Sequence, residues 1–177
     1  MKQSVILSFL LSCMFFSSTG QQTAFSKSDK LLNLGIGVNS YYQGGIPLGA
    51  SFEVGVSEDI SVGVSIDYLS YRYRFYGDYS YKFTALYAGA RASYHFNELL
   101  EIDNEKIDVY GGGTLGLRSF RWKDTYSDES LSGRYGSGLY VGAYVGGKYY
   151  FNPRIGAMLE AGAIGSTNVR IGVGFKF

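Results

Sequence analysis

The chain is 177 residues long, has a formal net charge of +1, and carries 25 Gly, 17 Tyr and 12 Phe against 2 Pro. Such a balance offers nothing to a nucleic-acid partner, and so many aromatics with so few prolines exclude a disordered tail and favour strands. Glycine at this level would ordinarily mean flexible loops, yet here it falls inside alternating segments, where it lines a narrow interior or permits a bend.

Met1-Lys2 supplies a positive start, Val5 to Phe16 is apolar, and Ser18-Thr19-Gly20 places small residues before Gln21. These features predict a signal peptide over residues 1–20, a short lead over 21–30 and a single domain over 31–177. The apolar run is too short to cross about 30 Å of hydrocarbon as a helix. Leu10-Leu11-Ser12-Cys13 loosely matches a lipoprotein cleavage box, although the apolar stretch continues through Met14-Phe15-Phe16, where such a box turns polar. With Gln21 as the first mature residue, no cysteine remains and no disulfide contributes.

Eight segments then alternate between apolar and polar or tiny residues, the two-residue period of a strand with one oily and one wet face. The first runs from Leu31 to about Tyr41, with Leu32, Leu34, Ile36 and Val38 on the oily side. The second, Leu48 to Ser57, sets Phe52 and Val54 against Ser51, Glu53 and Gly55. The third sets Ile60, Val62, Val64 and Ile66 against Ser61, Gly63, Ser65 and Asp67. The fourth sets Leu86, Ala88, Ala90 and Ala92 against Tyr87, Arg91, Ser93 and His95. The fifth, from Ile107, opposes Val109, Leu115 and Leu117 to Asp108, Tyr110 and Arg118. The sixth opposes Leu139, Val141 and Val145 to Tyr140, Tyr144 and Lys148. The seventh opposes Ile155, Ala157 and Leu159 to Gly156 and Glu160. The eighth opposes Val169, Ile171, Val173, Phe175 and Phe177 to Arg170, Gly172, Gly174 and Lys176.

A tilted strand needs about 9–11 residues to cross a bilayer, which is the length of these oily faces, and single-chain bacterial barrels use an even number of strands. The pattern predicts an all-β fold, an eight-stranded antiparallel up-and-down transmembrane β-barrel. A soluble sandwich is the competing architecture, but it would bury the oily face in a core. Both prolines, Pro47 and Pro153, fall between segments. With the amino terminus on the periplasmic side, Ser57-Glu58-Asp59, Asn97 to Lys106 and Asn152-Pro153 face inward. The connections at Gln43 to Pro47, Gly77-Asp78, Lys123 to Arg134 and Gly165 to Thr167 then face outward. Asn97 to Lys106 is read as a solvated acidic loop, with a short helix as the alternative. Aromatics at Tyr41, Tyr42, Tyr68, Tyr94, Phe96, Tyr149 to Phe151, Phe175 and Phe177 are placed at the membrane interfaces.

A barrel of this size is about wide enough for its own side chains to fill. The inward set is Glu53, Asp67, Asp108 and Glu160 with Arg91, Arg118, Lys148, Arg170 and Lys176, joined by Tyr87, Tyr110, Tyr140 and Tyr144. Buried charges must be paired, so these residues are expected to form a network that plugs the lumen. Glu160 and Arg170 should be directly opposite or one diagonal apart on the last hairpin. No metal-ligand cluster, cofactor motif or phosphate loop is legible. His95, with Ser93 two residues away, lies near the periplasmic rim and is read as a structural polar group, not a catalyst.

The third and fourth segments exceed what a membrane requires and should project as a hairpin. Arg72, Tyr73, Arg74, Tyr81 and Lys82, with Trp122 on the next connection, are candidate surface-binding residues. Cross-strand ring pairs that only stiffen the hairpin are the plainer reading.

Arg170, Gly172, Phe175 and Phe177 fill a pattern that resembles the C-terminal assembly signal of outer-membrane barrels. Tyr87 to Phe96, Asp108 to Gly113 and Gly146 to Phe151 carry a wider resemblance. The chain is similar to small outer-membrane β-barrel proteins of the OmpA/OmpX-like type, and more closely to those common in Bacteroidetes. The resemblance implies an outer-membrane location, with lipid and lipopolysaccharide around the barrel and the barrel-assembly machinery as its partner during biogenesis. It also implies a structural or adhesin-like surface role with a possible protein partner. A narrow porin-like channel is the alternative, and a lipid A-modifying enzyme a remote one. A peptidoglycan-binding domain of the kind larger relatives carry is not expected after the barrel, nor is tethering to the wall.

Overall fold

The computed structural model describes residues 24–42, 44–74, 80–124 and 136–177. The expected leader with Cys13, together with Gln43, Gly77-Asp78 and residues 125–134, lies outside the described residues. The strands are β1 (Lys30–Ser40), β2 (Leu48–Gly55), β3 (Ile60–Arg74), β4 (Ser80–His95), β5 (Ile107–Asp124), β6 (Gly138–Asn152), β7 (Ile155–Ile164) and β8 (Thr167–Lys176). Each is antiparallel to the next, and β8 returns to pair with β1, so the sheet is a closed eight-stranded barrel without edges.

The barrel is oily outside and charged inside. Leu139 and Val141 are 75% exposed on the outer wall, while Glu53, Asp67, Arg91, Asp108, Lys148, Glu160 and Arg170 are at most 3% exposed within. A soluble sandwich requires the reverse, so the period-2 pattern is satisfied here by a closed sheet whose core is polar. Tyr94 with Phe96 and Tyr149 with Phe151 pair as rings at 5.1 and 5.9 Å, at the rim where β1 begins and β8 ends. Tyr42 and Tyr150, expected among the interfacial rings, turn inward instead. Tyr42 packs on Phe83 at 4.9 Å, and Tyr150 is 2% exposed, because the pleat reverses between Tyr149 and Phe151.

Asn97 to Lys106 forms turns without a helix. Asn97 holds it to β5, accepting from the Val109 amide at 2.9 Å and donating to the Ile107 carbonyl. At the opposite rim β5 is longer than expected and stays on β4 as far as Tyr81 opposite Asp124. The projecting structure is therefore a three-stranded flap of β3, β4 and β5. Its inner face carries Leu69, Phe83, Ala85 and Tyr87, packed with Tyr42, Tyr73, Phe120 and Trp122.

Closure ends on the last residue. The Phe177 amide donates to the Lys30 carbonyl at 2.9 Å, and the Lys30 amide donates back at 3.2 Å. Deleting Phe177 should cost the pair, about 0.5–1.5 kcal/mol per bond, and lower the urea midpoint accordingly. A fall in folded, heat-modifiable protein beyond that loss would show that the residue is also read during assembly.

Candidate functional site: the charged lumen

The lumen is built in layers, and each layer depends on glycines that leave room for long side chains to cross neighbouring strands. Nearest the flap, the Arg170 guanidinium on β8 crosses β1 and β2 to donate to Asp67 on β3 at 2.6 Å. It passes over Gly35 and Gly49: a Cβ at Gly49 would sit 2.2 Å from the guanidinium carbon. Asp67 also accepts from the Ser166 amide at 2.9 Å and from the Ser166 hydroxyl, which ties the last turn to the opposite wall.

The middle layer centres on Arg91. Its Nε donates to Glu53 Oε1 at 2.8 Å, another guanidinium nitrogen donates to Glu160, and the group lies 3.8 Å over the Tyr144 ring. Glu160 stands directly opposite Arg170, whose Nη1 is 3.8 Å from Glu160 Oε2, and also accepts from the Tyr110 hydroxyl at 3.0 Å. Tyr110 reaches across Gly146, where a Cβ would meet its ring at 2.8 Å. Tyr144 reaches across Gly112 in the same way, placing its hydroxyl 2.8 Å from Ser93.

The third layer is Ser61, His95, Asp108 and Lys148. His95 Nδ1 is 2.7 Å from Asp108 Oδ1, its Nε2 is 3.1 Å from Ser61 Oγ, and Lys148 Nζ is 3.4 Å from Asp108 Oδ2. The composition is that of a Ser-His-Asp triad, but the setting is wrong for one. Ser61 and Asp108 are 0% exposed, and the Ser61 hydroxyl donates to Glu53 at 3.0 Å. Phe25 covers the imidazole, with ring centroids 3.5 Å apart and planes 4° from parallel. No acyl group can reach the hydroxyl. Among the described residues no group of three or more His, Cys, Asp or Glu is arranged to hold a metal.

Two of the expected lumen charges sit elsewhere. Arg118 is exposed in a cup of about 470 Å³ at the flap end, lined with Tyr41, Tyr42, Tyr87, Phe120 and Tyr140. The β5–β6 register ends at Arg118 opposite Gly138, so Arg118 sits at the open end of the lumen. Lys176 lies at the terminal rim, 3.9 Å from Asp29 and donating to the Ala24 carbonyl at 2.8 Å, because its partner Leu31 is at the start of β1. With these set aside, four buried carboxylates (Glu53, Asp67, Asp108, Glu160) face three buried cations (Arg91, Lys148, Arg170), and His95 shares Asp108. Sequence reading missed Ser61, Ser93 and Ser166 as members, and Phe25 as the cap. A serine on an inward face signals polarity but no partner, and Phe25 precedes the alternating pattern altogether.

Between the Asp67–Arg170 pair and Arg91 there is a void of about 10 Å³, roughly the room one water needs.

The candidate surface residues are divided by the pleat. Arg72 and Lys82 point outward opposite one another, whereas Tyr73 and Trp122 stack inside the flap with centroids 6.3 Å apart. Tyr81 has the inward parity of Phe83, and the side chain of Arg74 lies outside the described residues.

No family model matches the sequence, and no curated protein matches it. Solved structures do. The attachment invasion locus protein Ail of Yersinia pestis aligns with a TM-score of 0.55 at 13% identity, over 85% of this chain and 99% of that one. Ail in complex with the heparin analogue sucrose octasulfate aligns with a TM-score of 0.57 at 13% identity, over 85% and 99%. The outer membrane protein OprG from Pseudomonas aeruginosa aligns with a TM-score of 0.56 at 13% identity, over 89% and 99%. The fold is that of an outer-membrane barrel. At these identities the likeness is one of architecture.

Proposed function

We propose that the protein is an integral barrel of the bacterial outer membrane, of the small OmpA/OmpX-like kind, exported by residues 1–20 as a cleaved signal peptide. Its role is structural or surface-binding, exercised at the flap end, and it is not an enzyme. Outer-membrane lipid and lipopolysaccharide surround it, and the assembly machinery receives its C-terminal strand. A protein partner at the surface is the adhesin-like form of the same reading. A neighbour in fold named for attachment and invasion, Ail, supports that reading of the flap end.

The observation that carries the proposal is the lumen itself. Arg91 bridges Glu53 and Glu160 across the barrel, and Phe25 covers the layer beneath. A solute would have to break buried ion pairs to pass, at several kcal/mol per ion. The expected result in planar bilayers is therefore no stepwise conductance from protein whose folding is shown by a heat-dependent gel shift. Steady single-channel openings from such folded protein would replace this reading with the narrow-channel one.

A further inference from the structure

Arg118 is the one inward charge of the barrel without a partner of opposite sign among the described residues. Glu53 and Glu160 share Arg91, Asp67 holds Arg170, Asp108 holds Lys148, and Lys176 lies beside Asp29. Arg118 instead stands in the cup at the flap end, its guanidinium carbon 5.7 Å from the centre of the Phe120 ring. It is the only charged group among the described residues that line the cup. At about 470 Å³ the cup has the size of a small-molecule site. Its floor includes Tyr87, which is 5% exposed, and Gly165, beneath which lies the Asp67–Arg170 pair: a Cβ at Gly165 would sit 2.6 Å from the Asp67 side chain.

What lines the cup selects the chemistry of its occupant. The Phe120 ring lies 6.0 Å from Tyr87 at 87°, and Tyr87 lies 4.9 Å from Tyr140 at 76°. Rings set nearly at right angles form a corner, where a further flat ring meets one neighbour edge-on and the next face-on, as aromatic pairs prefer. The tyrosine hydroxyls are already engaged within the protein. Tyr41 donates to the Gly162 carbonyl at 3.2 Å, and Tyr140 donates to the Ala163 carbonyl and accepts from the Gly165 amide, both at 2.7 Å. Tyr42 and Tyr87 bond to each other. A ligand rich in hydroxyls would leave its own polar groups unpaired here, at a cost in affinity. One guanidinium with no second cation matches a single carboxylate, which it grips with two parallel hydrogen bonds. A polyanion would bring charge that the cup does not answer.

We propose that the cup is a binding site for one small aromatic carboxylate, its ring in the corner of Phe120, Tyr87 and Tyr140 and its carboxylate on Arg118. The site needs only the closed barrel, and it goes beyond the surface role proposed above because no macromolecular partner takes part. An aliphatic acid would fill the same volume without ring-to-ring contacts, and a neutral aromatic would leave Arg118 unanswered. An aromatic acid engages both.

The test is calorimetric titration of protein purified from cells expressing the full chain and held in lipid nanodiscs, with empty nanodiscs subtracted. The probes are naphthoate, naphthamide, octanoate and glucuronate, which separate the ring, the charge and the hydroxyls. Wild type should bind naphthoate saturably and one-to-one, and each of the other probes at least about 10-fold more weakly. Arg118→Gln should weaken naphthoate roughly 10- to 100-fold, the loss of one charge-assisted pair. Arg121→Gln removes a cation from the same flap outside the cup and should bind as wild type does. Arg118 makes no ion pair among the described residues, so the heat-dependent gel shift should be the same in both variants. Naphthamide or octanoate held as tightly as naphthoate overturns the site on wild type alone, as does the absence of saturable naphthoate binding up to millimolar concentration. Arg118→Gln at wild-type affinity, or an equal loss in Arg121→Gln, overturns it as well. Tighter binding of glucuronate overturns it in favour of a sugar acid.

Discussion

Arg91→Met should lower the stability of the folded barrel by about 3–5 kcal/mol, the cost of leaving buried charge without its partner. Arg91 is the only group that touches both Glu53 and Glu160 among the described contacts, and both carboxylates are 1% exposed. The donors that remain, Ser61 and Ser93 on Glu53 and Tyr110 on Glu160, satisfy lone pairs but supply no positive charge. Arg170 stays 3.8 Å from Glu160 and places the expected loss toward the lower end of that range. The triple variant Arg91→Met, Glu53→Gln, Glu160→Gln should recover most of the loss, since neutral groups of similar volume replace buried ions with little penalty. Urea unfolding in lipid vesicles, followed through Trp122, the single tryptophan of the chain, reads both variants. A single variant as stable as wild type would mean that water hydrates the carboxylates, which would also count against a sealed lumen.

How far the lumen was legible in the sequence follows from what each claim required. Which residues face inward depends only on parity along a strand, and parity is visible in any alternating segment: Glu160 and Arg170 sit in register for that reason. Which inward residues touch depends on reach across several strands. Arg170 finds Asp67 because Gly35 and Gly49 are bare, and nothing in the spacing of Asp67 and Arg170 announces it. Height along the barrel was harder still. Arg118 and Lys176 have the right parity but lie at the two rims, where the wall is open or the lead from Ala24 to Asp29 supplies the partners. That Arg72 and Lys82 share the outer face needed the register of β3 on β4, so the sequence showed both but grouped them with rings that point the other way.

Gly63→Ala should be about as damaging as removing Arg91, although it deletes nothing. Gly63 stands on β3 between Glu53 on β2 and Arg91 on β4, and it is across this bare position that Arg91 reaches Glu53. A Cβ there would lie 1.8 Å from the Phe52 carbonyl oxygen and 2.7 Å from Glu53 Cα. Both obstacles are backbone of the paired strand, so β2 and β3 must separate by more than an ordinary core adjustment. Overpacking alone costs about 1–3 kcal/mol, and the displaced Arg91–Glu53 contact adds to it. Because both substitutions act on that contact, Gly63→Ala combined with Arg91→Met should cost less than the sum of the two. Gly113→Ala supplies the control: it is also a mid-strand glycine, but it faces the outer wall and its added Cβ meets nothing closer than the Gly142 carbonyl at 3.4 Å. That change should stay within about 0.5 kcal/mol of wild type. Equal urea midpoints for Gly63→Ala and Gly113→Ala would show that the glycines of the lumen reflect strand composition rather than the room its charges need.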